Sequence, residues 1–310
     1  MASELTFLVV TDTHVHVQSD GPDWDCSWNT ILNTRGAEIL SIFVEDANAM
    51  APDFVVHCGD LTNTSDEASY RAVSEILSGL NCPFYLTLGN HDTWIPGARS
   101  LAGDLFGLPR MVNIGDWRLM FVDGVHWIKK DGSVQADFDP DNYEDIITPD
   151  SELEAVRSEL ERDSAVPTIC FTHPILKYRP GGYAVPTHLG GEPVEGGFLM
   201  MDEELGTPSK LSSIVDSYPC VKAAFCGHGH WHECLLGNSI NGGSGPLYCQ
   251  TGGLAEFPCE YRRIQVGPNN IDVEAVKLSR GNFAELSYIP ARGNRWPAGR
   301  PIDRSFSHKF

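Results

Sequence analysis

Five short stretches of this chain carry side chains able to ligate a metal ion: Asp12-Thr13-His14, Gly59-Asp60, Gly89-Asn90-His91-Asp92, Thr172-His173-Pro174 and Gly227-His228-Gly229-His230. Each follows a short apolar run. Carboxylate, imidazole and amide oxygen together suit borderline divalent or trivalent ions such as Mn, Fe or Zn, and not a thiolate zinc site. The glycines allow tight turns that aim the next side chain inward. Taken singly, each stretch says little, since an isolated buried histidine is more often a hydrogen-bonded core residue than a ligand. Five in succession, each closing an apolar run, are not explained by core packing.

Other polar residues carry weaker signals. His16, two residues past His14, and His188, in a glycine-rich segment, are candidates for substrate contact, against a plain surface role. His57 and His126 sit at strand ends without a motif around them and read as structural, while His232 is open between the two. Asp92 reads either as support for His91 or a nearby backbone group, or as a helix cap.

Bringing the five stretches together requires that the elements before them end on one edge. In open α/β sheets ligands bind outside the C-terminal ends of the strands. Strands are predicted at Leu5–Thr11, Phe54–His57, Phe84–Leu88, Arg118–Val125, Thr168–Thr172 and Val221–Cys226. Helices are predicted at Gly36–Met50, stopped by Pro52, and at Glu67–Leu80, Asp150–Arg162 and Lys210–Ser217. Leu247–Gln250, Tyr261–Val266 and Ile271–Lys277 read as a terminal β meander. The alternation implies an α/β protein. With no repeat and no internal linker, residues 1–280 are expected to form one domain. The Pro/Gly-rich basic tail, 281–310, either packs on the acidic body or a second subunit, or stays unstructured. Three long irregular segments, 18–28, 129–149 and 177–206, are candidates for functional loops.

Composition bounds the partners. A net charge of −20 over 310 residues disfavours nucleic-acid polymers and anionic membranes, which are bound by clustered Lys and Arg. An anionic substrate would then need local cations within the site. The nine cysteines form no CxxC pair, and several lie in apolar runs, which reads as reduced core thiols. No run of apolar residues is long enough for a spanning helix. Leu5–Val10 has no basic flank and reads as a core strand, not a leader, so a cytoplasmic location is expected.

The order DxH, GD, GNHD, H, GHGH over residues 12–230 resembles the signature of calcineurin-like metallophosphoesterases. The stretches 52–92 and 223–230 are most similar to the class III cyclic-nucleotide phosphodiesterases within it. The resemblance implies a four-layer αββα sandwich with two mixed sheets and a dinuclear metal site at the strand C-terminal ends. It implies one metal on Asp12, His14, Asp60 and His230, and a second on Asp60, Asn90, His173 and His228. His91 would be an outer-sphere catalytic residue beside the phosphate, with Asn90 also contributing to catalysis. The implied reaction is hydrolysis of a small phosphodiester, of cyclic-nucleotide or glycerophosphodiester type, by a metal-activated hydroxide. The chain departs from two branches of the superfamily. Leu61, Thr62 and Asn63 follow Asp60, where purple acid phosphatases carry a tyrosine ligand, and Asp92 stands where the protein phosphatases have glutamate. A phosphomonoesterase and a non-catalytic scaffold of the same fold stay open as alternatives; a nuclease would need a basic groove. Homo-oligomerisation is also left open.

Overall fold

The computed structural model describes residues 3–17, 22–25, 29–143, 145–177, 209–238, 244–292 and 295–310. Two six-stranded sheets face each other. The first runs in the order Ser305–Lys309, Asn270–Lys277, Glu260–Val266, Leu5–Val10, Phe54–His57, Phe84–Leu86, with the last three strands parallel. The second runs Glu233–Leu236, Leu247–Gln250, Val221–Cys226, Thr168–Phe171, Trp117–Phe121, Met111–Ile114, with its middle four strands parallel. Antiparallel strands close the outer side of each parallel set, so both sheets are mixed.

The parallel strands are apolar at nearly every position because both of their faces are covered. Alternate residues of Leu5–Val10 divide between two cores. Leu5, Phe7 and Val9 face the second sheet, and Leu8 and Val10 face helices. Between the sheets, Phe7 stacks on Phe54 at 4.7 Å and meets Phe171 and Phe225 edge-on at 5.9 and 5.8 Å. Outside the first sheet, Ile39, Leu40 and Phe43 of the Gly36–Met50 helix pack with Tyr70 and Val73 of the Glu67–Leu77 helix. Outside the second, Leu153, Val156 and Leu160 of the Asp150–Arg162 helix join Leu211 and Val215 of the Lys210–Ser217 helix. The result is the four-layer αββα sandwich.

Two details differ from the sequence expectation. Leu247–Gln250 is not part of a meander: it lies in the second sheet, parallel to Val221–Cys226, while its supposed partners lie in the first. The strand expected at Arg118–Val125 stops at Phe121, and the chain turns into a small sheet of His126–Ile128 with Val134–Gln135 and Asp145–Ile147, the last two inside the segment read as a loop. The tail packs on the body, where Ser305–Lys309 adds an edge strand against Asn270–Glu274. Among the described residues the cysteines are free, and all but half-buried Cys82 are buried. No helix among the described residues is long and apolar enough to cross a membrane.

Candidate metal centre

The parallel strands of both sheets end on the same rim, and there the five stretches meet. Past the end of Leu5–Val10 the pairing with the next strand continues through the loops. The backbone N–H groups of Asp12, His14 and Val15 donate to the carbonyls of Gly59, Asp60 and Leu61 at 3.0, 3.0 and 3.1 Å. This zipper fixes Asp12, His14 and Asp60 side by side. Its cost is backbone strain: Asp12, His14, Asp60, His228 and His230 hold φ of 52, 43, 53, 72 and 60°, the left-handed region that non-glycine residues avoid. Gly59, at φ 92°, has no alternative, because a Cβ there would run into the His173 ring. A Cβ on Gly89 would strike the Asp60 side chain and backbone.

Two groups of ligand atoms result, buried apart from half-buried His228. In the first, His14 Nε2 lies 3.2 Å from His230 Nε2, and Asp12 Oδ1 lies 3.9 Å from the His14 nitrogen and 3.2 Å from the His230 nitrogen. In the second, His173 Nε2, His228 Nδ1 and the Asn90 side-chain oxygen lie 3.0–3.2 Å apart. Asp60 stands between them. Its Oδ1 accepts the His91 N–H at 2.8 Å, and its Oδ2 faces His14 Nε2 at 3.8 Å and His173 Nε2 at 3.4 Å. Asp12, His14, Asp60 and His230 form one set that could hold an ion, and Asp60, His173 and His228 another.

The residues fit cations on physical grounds. Asp12 Oδ2 is satisfied by the Thr11 hydroxyl at 2.7 Å and the His228 N–H at 3.1 Å, yet the buried Oδ1 has no hydrogen-bond donor in good geometry. Facing ring nitrogens 3.2 Å apart repel through their lone pairs unless a bridge, a metal ion or a hydrogen-bonding proton, lies between them. Without an ion, a proton supplies it. Burial, the largest effect on His173, opposes its protonation, but Asp60, Asp12 and the Cys58 carbonyl together raise the ring to about 9, while burial and then His173 hold His228 at about 3. His230 is likewise raised, Asp12 and Glu256 together overcoming its burial, and His14 is lowered by burial and by His91.

Several partners orient these ligands. His173 Nδ1 bonds the Cys58 carbonyl at 2.7 Å, which turns Nε2 toward the centre. His230 Nδ1 meets the Glu256 carboxylate at 2.7 Å, a residue the sequence reading passed over. Glu256 follows a Gly-Gly turn after Leu247–Gln250, a parallel strand end like the other five, and assigning that strand to a meander hid the signal. Asp92 supports backbone and not the His91 ring. It accepts from the N–H groups of Leu61, Thr62 and Gly89 at 3.1, 2.9 and 3.0 Å, tying the two neighbouring turns together.

His91 belongs to neither ligand group. Its Nδ1 bonds the Asn63 carbonyl at 2.8 Å, and its ring lies 4.6 Å from His14. Two indoles that the sequence reading did not single out flank it, Trp94 at 4.2 Å and Trp24 at 5.3 Å. His16 is half-buried outside both groups, with Asp66 as its charged neighbour. His57 is buried against Thr13, and His232 lies 3.6 Å from Glu260. His188, with most of 177–206, lies outside the described residues.

A calcineurin-like phosphoesterase model matches residues 5–232, and the chain belongs to that family. It is 22% identical over 293 residues to a protein of Colwellia psychrerythraea named a probable cyclic nucleotide phosphodiesterase, covering 93% of this chain and 92% of that one. A protein of the same designation in Rhodopseudomonas palustris is 34% identical over 90 residues, a match that spans only 28% of this chain and 30% of the relative. Among solved structures, a dimetal phosphatase from Danio rerio superposes with a TM-score of 0.61 at 12% identity, covering 88% of this chain and 97% of its own. A purple acid phosphatase from yellow lupin gives 0.61 at 14% identity over 100% of this chain and 54% of its own. At such identities these structures support the fold alone.

Proposed function

We propose that the protein hydrolyses a small phosphodiester of cyclic-nucleotide or glycerophosphodiester type, with two metal ions held at the rim. Asp12, His14, Asp60 and His230 would hold one; Asp60, Asn90, His173 and His228 the other. The observation that carries this reading is Asp60, whose free oxygen faces both imidazole groups at once. Bound there, the ions polarise the phosphoryl oxygens and bring the acidity of a water near neutrality, as Mn, Fe or Zn can. Their charge also supplies the attraction that a chain of net charge −20 lacks.

The chain's own residues do the rest. Asp92 and the zipped turns fix the ligands before substrate arrives, so little reorganisation remains for the reaction. His91, anchored through Nδ1 on the Asn63 carbonyl, keeps Nε2 for moving a proton to the departing oxygen. The assignment to diesters is supported by the relatives' designations and by the absence of Lys or Arg within the five stretches, where a dianionic monoester would find a counter-charge. Metal-reconstituted protein is expected to turn over bis-nitrophenyl phosphate with a higher kcat/KM than nitrophenyl phosphate at neutral to mildly alkaline pH. A strong preference for the monoester would move the protein to the phosphomonoesterase reading.

A further inference from the structure

The indole of Trp24 is 43% exposed, beside a centre whose side chains are buried apart from half-buried His228. It lies 6.1 Å from the His14 ring and 5.3 Å from the His91 ring. Trp94 stands on His91 at 4.2 Å and is backed by Phe138 at 5.9 Å. Trp94 has a packing reason for its position, since it joins the small core of Val125, Trp127 and Ile146. Among the described residues Trp24 joins no apolar core, and both residues of its two-residue strand are exposed.

Nor is Trp24 loosely held. Its backbone N–H donates to Asn33 Oδ1 at 3.0 Å. On one side, the Asp23 carboxylate accepts from the N–H and hydroxyl of Thr34 at 2.9 and 2.6 Å. On the other, Asp25 is gripped by both terminal nitrogens of Arg292, from the C-terminal tail. A large apolar ring anchored from three directions at the mouth of a polar site is suited to receive another flat apolar surface.

We propose that Trp24, with Trp94 and His91 behind it, is a stacking site for a planar π-system carried by the phosphate ester, and that it sets which esters the centre takes. The planar group is a nucleobase or an aryl group; both present the same π-face. Arg292 is a positioning residue for it, acting through Asp25. The inference rests on the phosphoesterase reading and narrows it away from glycerol-type esters, which offer nothing to stack.

The test uses full-length, metal-loaded protein and three non-hydrolysable probes: methylphosphonate, phenylphosphonate and a phosphonate analogue of adenosine monophosphate. Affinities are measured by calorimetry and metal content by elemental analysis. A stacked ring is worth roughly 1–3 kcal/mol, so at least one planar probe should bind about tenfold or more tighter than methylphosphonate. Trp24→Ala should erase that advantage with metal content unchanged. Trp24→Phe should retain most of it, and Arg292→Ala should lose part of it. An adenosine analogue much tighter than phenylphosphonate assigns a nucleobase, and near-equality assigns any planar group; either supports the site. Equal affinity for methyl and planar probes in the native protein, or equal weakening of all three in Trp24→Ala, overturns it while leaving the phosphoesterase reading intact. No binding of any probe, together with no ester hydrolysis by the loaded protein, overturns both.

Discussion

Asp60 divides its two oxygens between structure and chemistry, one tied to the His91 backbone and one facing both imidazole groups. The adjacent residues Asn90 and His91 divide in the same way, which makes them separable by mutation. Asn90→Ala should lower metal occupancy at the His173/His228 group as well as rate. His91→Ala should leave metal content at the native level and cost about 10²–10⁴-fold on esters with an alkoxide leaving group. On nitrophenyl esters, whose leaving group needs no proton, the His91 penalty should be much smaller. Equal penalties on both ester types would contradict a proton-transfer role. Glu256 gives a second test. Its carboxylate fixes the His230 ring, so Glu256→Ala should weaken binding of one metal ion about 10–100-fold in a metal titration. Glu256→Gln, which retains an acceptor oxygen, should lose less; unchanged affinity in both variants would remove Glu256 from the centre. At this scale the sequence is most legible where a residue closes an apolar strand. Asp12, Asp60, Asn90, His173 and His228 all do so. Trp24 escaped because an exposed aromatic in an irregular segment has no periodicity to mark it.

Among the elements, the turns matter more than the strands they close. Asp92 is the tie between the turn after Phe54–His57 and the turn carrying Asn90 and His91, and it also accepts the Thr62 hydroxyl at 3.2 Å. Asp92→Ala would leave three buried backbone N–H groups without an acceptor. Each such group costs about 1–3 kcal/mol, so the variant should lose on the order of 3 kcal/mol or more of stability. In a chain of this size that should lower Tm by about 5–10 °C in a thermal melt. A Tm within about 1 °C of native would show that water or a shifted loop satisfies these donors instead. The helices at 36–50, 150–162 and 210–217 have the bounds expected of them, because apolar spacing marks them locally, helped by Pro52 after the first and the acidic first turn of the second. The placement of Leu247–Gln250 was not legible, since a four-residue apolar strand fits either sheet and only tertiary packing decides. The strands within 126–147 are two or three residues long, too short for a period-2 pattern to emerge.

Across the whole molecule, the sandwich joins two half-sites that neither sheet could complete. The first sheet brings Asp12, His14, Asp60 and Asn90, and the second brings His173, His228 and His230. The tail contributes to the same assembly from the far end of the chain. Its Arg292 and Arg304 meet the acidic body at Asp25 and Glu260, and Asp303 backs the fully buried Arg262 through its carbonyl. An exposed pair such as Arg292–Asp25 adds little stability, so the tail's hold rests more on its edge strand, on the buried Glu260 and on Arg262. We propose that two ions held by these converging loops perform the hydrolysis. This is tested most directly by stripping the protein with chelator, returning Mn²⁺ in steps, and following bis-nitrophenyl phosphate hydrolysis against ions bound per chain. Activity should be absent in the stripped protein and reach its plateau near two ions per chain, one for each ligand group. Full hydrolysis by protein shown to hold no metal would contradict the account.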